Sequence, residues 1–168
     1  VLMANKIDPA SQRTARIYRV ENTGAPDRPA FRMREGLEEV TGEFHYAPTL
    51  ADVDGDGDLD LAAGTWNEGV VLFRNEGDAR APRFVRTPAP LVDLPRGSHA
   101  SPALGDLDGD GDLDLVAGES SGEVNVWRND GSRTAPEYTL VTEALLGIDV
   151  GRRSAPAIAD LDGDGILD

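Results

Sequence analysis

Fourteen aspartates stand in three nine-residue stretches, 52–60, 106–114 and 160–168, which contain no Lys or Arg. The first reads Asp52-Val53-Asp54-Gly55-Asp56-Gly57-Asp58-Leu59-Asp60. The second reads Asp106-Leu107-Asp108-Gly109-Asp110-Gly111-Asp112-Leu113-Asp114, and the third Asp160-Leu161-Asp162-Gly163-Asp164-Gly165-Ile166-Leu167-Asp168. Each has Asp at the first, third, fifth and ninth places and Gly at the sixth. Carboxylates at alternate places of a curling loop converge on one centre, and Gly at the sixth place permits the positive φ of a sharp turn. A hard cation taking six to eight oxygen ligands fits this pattern, which makes Ca²⁺ the expected ion, three per chain. The seventh residue is expected to donate its backbone carbonyl (Asp58, Asp112 and Ile166), which leaves its side chain free. The ninth-place Asp60, Asp114 and Asp168 close the shell. Leu59, Leu113 and Leu167 are expected to tuck under the loops into the core.

Composition narrows the alternatives. The formal net charge is −15, which disfavours nucleic acid and anionic lipid as partners. Three Ca²⁺ ions would leave a charge of about −9. The absence of Cys excludes disulfides and Cys-based zinc sites. No stretch has the roughly 20 apolar residues that span a bilayer, so membrane insertion is not expected. No signal peptide is visible, and a first residue of Val points to a mature form or an excised piece.

These loops need elements to hold them, and the sequence supplies those as a repeat. The loops begin at Asp52, Asp106 and Asp160, evenly spaced along the chain, and each is preceded by a proline, Pro48, Pro102 or Pro156. Asn-x-Gly follows at Asn75–Gly77 and Asn129–Gly131, then Pro-x-aromatic at Pro82–Phe84 and Pro136–Tyr138. The N-terminal region repeats the marks at Asn22–Gly24 and Pro29–Phe31. Gly and Pro at regular places, with few aromatics, favour short strands joined by turns. In the middle copy the strands read 101–106, 113–118, 123–129 and 138–141. Four short antiparallel strands per repeat make one blade of a β-propeller. The fold class is therefore all-β, with residues 1–168 forming one repeat domain of three blades. Val1–Ala4 has the character of the segment that follows an Asp loop, so it is expected to complete a blade of the type begun at 155–168. An enlarged hairpin is expected between Asn5 and Ala15.

Together, the Asp loops, the Ala47-Pro48, Ser101-Pro102 and Ala155-Pro156 pairs, the Leu-x-x-Gly strands and the two turn motifs resemble the FG-GAP or VCBS repeat family. These are the calcium-binding blades of integrin-α-type β-propellers. The resemblance implies an ion in the loop between the first and second strands of each blade. It also implies an extracellular protein acting in adhesion or carbohydrate binding, or a non-catalytic module of a larger secreted protein. Three blades are too few for a closed ring. The chain is thus expected to associate with itself, two copies making six blades, or to join further blades of a longer protein.

Other residues give weaker signals. Tyr18, Phe73 and Trp127 share one repeat position, where packing is the expected role. Trp66, beside Asn67 and Glu68, offers a sugar-stacking surface or a partly buried surface ring. His45, His99 and Arg153 also share a position and are candidates to line a ligand site. The two histidines, in different blades, are expected to be far apart and solvated. No Ser/His/Asp arrangement or phosphate-binding Gly loop is evident, and the carboxylate spacing is that of metal ligands rather than of a glycosidase pair. An enzyme is not expected. A non-catalytic calcium-binding module with a carbohydrate or protein ligand is the leading reading. The alternatives are an accessory part of a secreted polysaccharide-active enzyme, or an excised or designed propeller fragment without a natural ligand.

Overall fold

The structure, a computed structural model, describes residues 2–4, 15–37, 40–41 and 45–168. The hairpin expected between Asn5 and Ala15 lies outside the described residues apart from Ala15. Among the described residues eleven strands form three antiparallel sheets. The first sheet holds β1 (Leu2–Ala4), β2 (Ile17–Asn22) and β3 (Phe31–Gly36) in the order β1-β2-β3. The second holds β4 (Tyr46–Ala51), β5 (Asp60–Thr65), β6 (Val70–Asn75) and β7 (Phe84–Arg86). The third holds β8 (Ser101–Gly105), β9 (Asp114–Gly118), β10 (Val124–Asn129) and β11 (Tyr138–Thr142). The four-stranded sheets are plain meanders, and the strands read from the middle repeat coincide closely with β8 to β11.

Alternation along the strands places successive side chains on opposite faces, and each central sheet buries both. In β5, Leu61 and Ala63 pack with Ile17, Tyr46, Val71, Phe73 and Phe84 between the first and second sheets. Ala62 faces the other way, into a second core with Val70, Leu115, Ala117 and Trp127. Every residue of β5 and β9 is buried, which is why small and branched residues predominate there. In β10 the better-buried face is Asn125, Trp127 and Asn129, whereas Val126 is half-buried and Arg128 exposed. Phe73 and Trp127 therefore pack as expected. Tyr18, at the same repeat position, is only half-buried. Its sheet has no described neighbour on that face, and Phe31 on the same sheet is 64% exposed.

Sheets abut through backbone as well as side chains. Ala100 N–H donates to Thr65 O (3.3 Å), and one repeat later Ser154 N–H donates to Glu119 O (3.1 Å). The chain entering each repeat thus lies across the β-hairpin of the previous sheet. A Cβ on Gly64 would sit 2.0 Å from Ala100 O, and one on Gly118 would sit 2.3 Å from Ser154 O. The glycine of the Leu-x-x-Gly strand is required by this close approach.

By repeat position β1 is a second strand, equivalent to β5 and β9, and among the described residues no first strand pairs with it. In 155–168, Ala159 and Asp168 exchange two backbone hydrogen bonds (2.9 and 3.3 Å), as the residues flanking an Asp loop do. Ile158 and Leu167 pack on Gly105 of β8.

Candidate metal centres

Each of the first two Asp loops joins a first strand to a second, β4 to β5 and β8 to β9. The sixth-place glycines turn at φ 99° (Gly57), 96° (Gly111) and 89° (Gly165). The fourth-place Gly55, Gly109 and Gly163 also have positive φ, a second constraint that the spacing argument does not require. The first Asp holds the turn closed. Asp106 accepts from Gly109 N–H (2.7 Å) and Gly111 N–H (3.0 Å), and Asp160 accepts from Gly163 N–H (2.6 Å) and Gly165 N–H (2.9 Å).

The ninth-place Asp opens the second strand and ties the loop to the blade. Asp60 accepts from Val53 N–H (3.0 Å) and from Asn75 N–H at the end of β6 (2.8 Å). Asp114 accepts from Leu107 N–H (2.9 Å) and Asn129 N–H (2.9 Å). The same asparagines close the next turn with their side chains. Asn75 Oδ1 accepts from Gly77 and Arg83 N–H, Asn129 Oδ1 from Gly131 and Glu137 N–H, and Asn22 Oδ1 from Gly24 and Ala30 N–H. The Asn-x-Gly motif is therefore a connector between the Asp loop and the third-to-fourth strand turn.

The turns bring three carboxylates together in each loop: Asp52, Asp54 and Asp60; Asp106, Asp108 and Asp114; Asp160, Asp162 and Asp168. Within a group the donor oxygens lie within 4.8 Å of one another. In the first loop Asp52 Oδ1 and Asp54 Oδ1 are buried and accept no hydrogen bond. Burying such oxygens unpaired is unfavourable, and a cation between them removes the penalty. The all-oxygen donor set suits a hard ion. The fifth-place Asp56, Asp110 and Asp164 are not part of these groups. Each accepts the N–H of the seventh residue, at 3.0, 3.0 and 2.8 Å.

The electrostatics carry the strain of like charge. Burial, followed by repulsion from Asp54, holds Asp60 above the usual carboxylate range despite the Asn75 and Val53 N–H groups. Asp58 and Asp112 are raised by desolvation and then by the neighbouring fifth-place carboxylate, Asp56 or Asp110. Asp52 runs the other way: desolvation pushes it up, but the Arg133 guanidinium at 2.8 Å brings it below its ordinary value. Arg133 comes from the third sheet's turn, and Arg74 stands 3.7 Å from Asp54.

The profile of the FG-GAP-like repeat family matches residues 52–117 and 106–168, together more than half the chain. The chain belongs to the FG-GAP-like repeat family. No curated protein and no solved structure matches it. Each FG-GAP match opens on the first Asp of a loop, so the family signature and the carboxylate cluster coincide.

Several details differ from the sequence expectation. The seventh-place Asp112 does not swing free: it is 6% exposed and lies near the half-buried Tyr138, whose phenol is raised by burial and then by Asp112 and Asp114. Leu59 is 51% exposed rather than tucked under its loop. Leu167, its counterpart, packs on the first strand of the preceding sheet, whereas the sheet preceding Leu59 has no first strand. Val53 fills the space beneath the first loop at 3% exposure. The histidines expected to be far apart are in contact: the His45 and His99 ring centroids lie 5.1 Å apart, edge to face. Trp66 is covered on one face by the Arg96 guanidinium, 4.6 Å from the ring centroid, and meets His99 at 6.2 Å. That arrangement favours the partly buried ring over a bare stacking platform. A groove of about 600 Å³ between the second and third sheets, lined by Leu72, Arg74, Val85, Arg86 and Pro136 among others, has no aromatic lining.

Proposed function

We propose that this chain is a non-catalytic, calcium-binding β-propeller module of three blades, completed into a ring by a second copy. The carrying observation is the set of three oxygen-donor triads in one turn geometry, with unpartnered buried oxygens in the first. Asp52, Asp54 and Asp60, and their counterparts in the other loops, would hold Ca²⁺. The fifth-place carboxylates and the carbonyls of Asp58, Asp112 and Ile166 would complete the shell. The ion would supply charge neutralisation, so its binding free energy becomes folding free energy.

A cavity and an exposed apolar segment support ring completion. Beside β1 lies a cavity of about 190 Å³, lined by Leu2, Leu37, Leu50, Leu59, Pro82 and Phe84 among others. In the proposed ring this is the space a first strand would take. Residues 155–168 hold the segment that corresponds by repeat position to a first strand and its loop, with Leu161 81% exposed and Ile166 67% exposed. A second copy's 155–168 segment would fill that space and bring Asn22 N–H to the Asp168 carboxylate, as Asn75 and Asn129 serve Asp60 and Asp114. Two chains exchanging this segment make six blades. Adhesion or carbohydrate binding at an extracellular location follows from the family reading. Among the described residues no helix is long and apolar enough to cross a membrane.

The test is thermal unfolding with and without calcium, coupled to light scattering. A higher Tm in calcium together with twice the chain mass is expected. No calcium effect overturns the metal assignment. A calcium effect at monomer mass keeps the sites and assigns the chain to a larger propeller.

A further inference from the structure

The first strands run from one rim of the molecule to the other. They leave through the Asp loops. They enter at His45, His99 and Arg153, which stand at one repeat position, and a strand of this length separates the two rims by roughly 20 Å. The Asp loops thus stand at the exit of each strand, and the imidazoles and a guanidinium at the entry.

The entry rim is built in a particular way. His99 and Arg153 both have positive φ, 51° and 55°, although neither is Gly. Such a conformation is strained for a non-Gly residue and persists only where its surroundings hold it. Here flanking backbone hydrogen bonds do so: Ala100 N–H to Thr65 O (3.3 Å), Arg153 N–H to Ser120 O (3.4 Å) and Ser154 N–H to Glu119 O (3.1 Å) reach the previous sheet, and Ser120 N–H donates to Ser98 O (2.6 Å). The result is a cavity of about 150 Å³ lined by His45, Ala47, His99, Ser101, Arg153 and Ser154, and closed by Ala155. Among the described residues lining it none is acidic, in a chain whose net charge is −15. The Trp66 ring and the Arg96 guanidinium extend the same surface outward from His99.

We propose that this mouth binds the carboxylate of a small monoanionic ligand. The planar guanidinium of Arg153 presents paired N–H donors matched to a carboxylate, and each imidazole adds a ring N–H. One lining guanidinium balances one negative charge. A phosphate dianion would be opposed by the acidic chain, and the mouth lacks the converging backbone N–H groups of a helix N-terminus. The volume accommodates a carboxylate and a few attached carbons, so the rest of a sugar acid would lie over the rim toward Trp66. The proposal does not depend on the metal assignment, because the Asp loops are at the other ends of the strands.

The chain has only two histidines, so both imidazoles can be followed individually by NMR. Glucuronate is titrated into the calcium-saturated protein, with glucose and inorganic phosphate in parallel at matched ionic strength. Both histidine signals should move saturably with glucuronate and not with glucose. Arg153→Gln should weaken binding at least tenfold, and His45→Gln, which leaves the strained positions untouched, should also weaken it. Unmoved histidine signals, an equal response to glucose, tighter binding of phosphate, or full affinity in both variants would each overturn the proposal. Calcium titration of the same samples separates this outcome from failure of the metal sites.

Discussion

The loops 106–114 and 160–168 carry the same residues at the first, third, fifth and ninth places, yet they stand in different surroundings. Their internal bonds are nearly superimposable. The second-place N–H reaches the ninth-place Asp at 2.9 Å in one and 3.0 Å in the other. Asp114, however, also accepts Asn129 N–H from the third strand and is 3% exposed. Among the described residues no third strand lies beside Asp168, which is exposed. The loop itself suffices to shape the cup. Burying its closing carboxylate takes the far end of the third strand, beyond the loop and the strand that follows it.

The sharpest way to break this comparison is to remove the closing carboxylate from each loop. Asp114→Ala leaves Leu107 and Asn129 N–H without their acceptor and should cost about 3 kcal/mol in chemical denaturation. Asp168→Ala should cost under about 1 kcal/mol in the isolated chain. Equal losses would show that the third strand adds nothing. Next in size, Asn129→Ala removes the acceptor of two N–H groups in a packed turn and should cost about 2 kcal/mol. Asn22→Ala, in the exposed first sheet, should cost about half that.

Calorimetric titration with calcium sharpens the contrast further. The loops in complete blades should bind about tenfold more tightly than 160–168, a difference of about 1.4 kcal/mol in pre-organisation. Closure by a second copy should erase that gap, so a protein-concentration series tests it. The smallest effect concerns a half-buried carboxylate outside the loops. Burial and then Glu123 hold Glu119 above its ordinary value, against an Asn125 hydrogen bond at 2.5 Å. Its protonated form favours the fold, so its contribution is complete below the ordinary glutamate value of about 4.3 and is lost as pH rises through the raised value. Glu119→Gln should raise the Tm slightly at pH 7 and leave it unchanged near pH 4. A Tm that falls at both would assign Glu119 a structural role as the ion.

Much of this is legible in the sequence because its determinants are local. The regular recurrence of the loops, the sixth-place glycines and the Asn-x-Gly turns each mark a short stretch of chain, and the strands follow from them. Other features depend on the angle between sheets, which no single repeat encodes. His45 and His99 meet only because consecutive first strands converge at one rim. Leu59 is exposed because of what its neighbouring sheet lacks, not because of its own loop. Arg133 reaches Asp52 from a different sheet, and nothing in the repeat pattern marks it. The inward turn of Asp112 is hidden from the motif because a seventh-place carbonyl role says nothing about where the side chain goes.

The contact of Gly64 with Ala100 O and of Gly118 with Ser154 O has a consequence for how such a molecule changes over time. The angular step from one blade to the next is set by main chain resting on main chain. Side chains on the outer strands and rims can therefore drift freely while the curvature of the assembly stays constant. A copied repeat inherits its pitch along with its sequence, and surface novelty accumulates on a frame whose gearing does not slip.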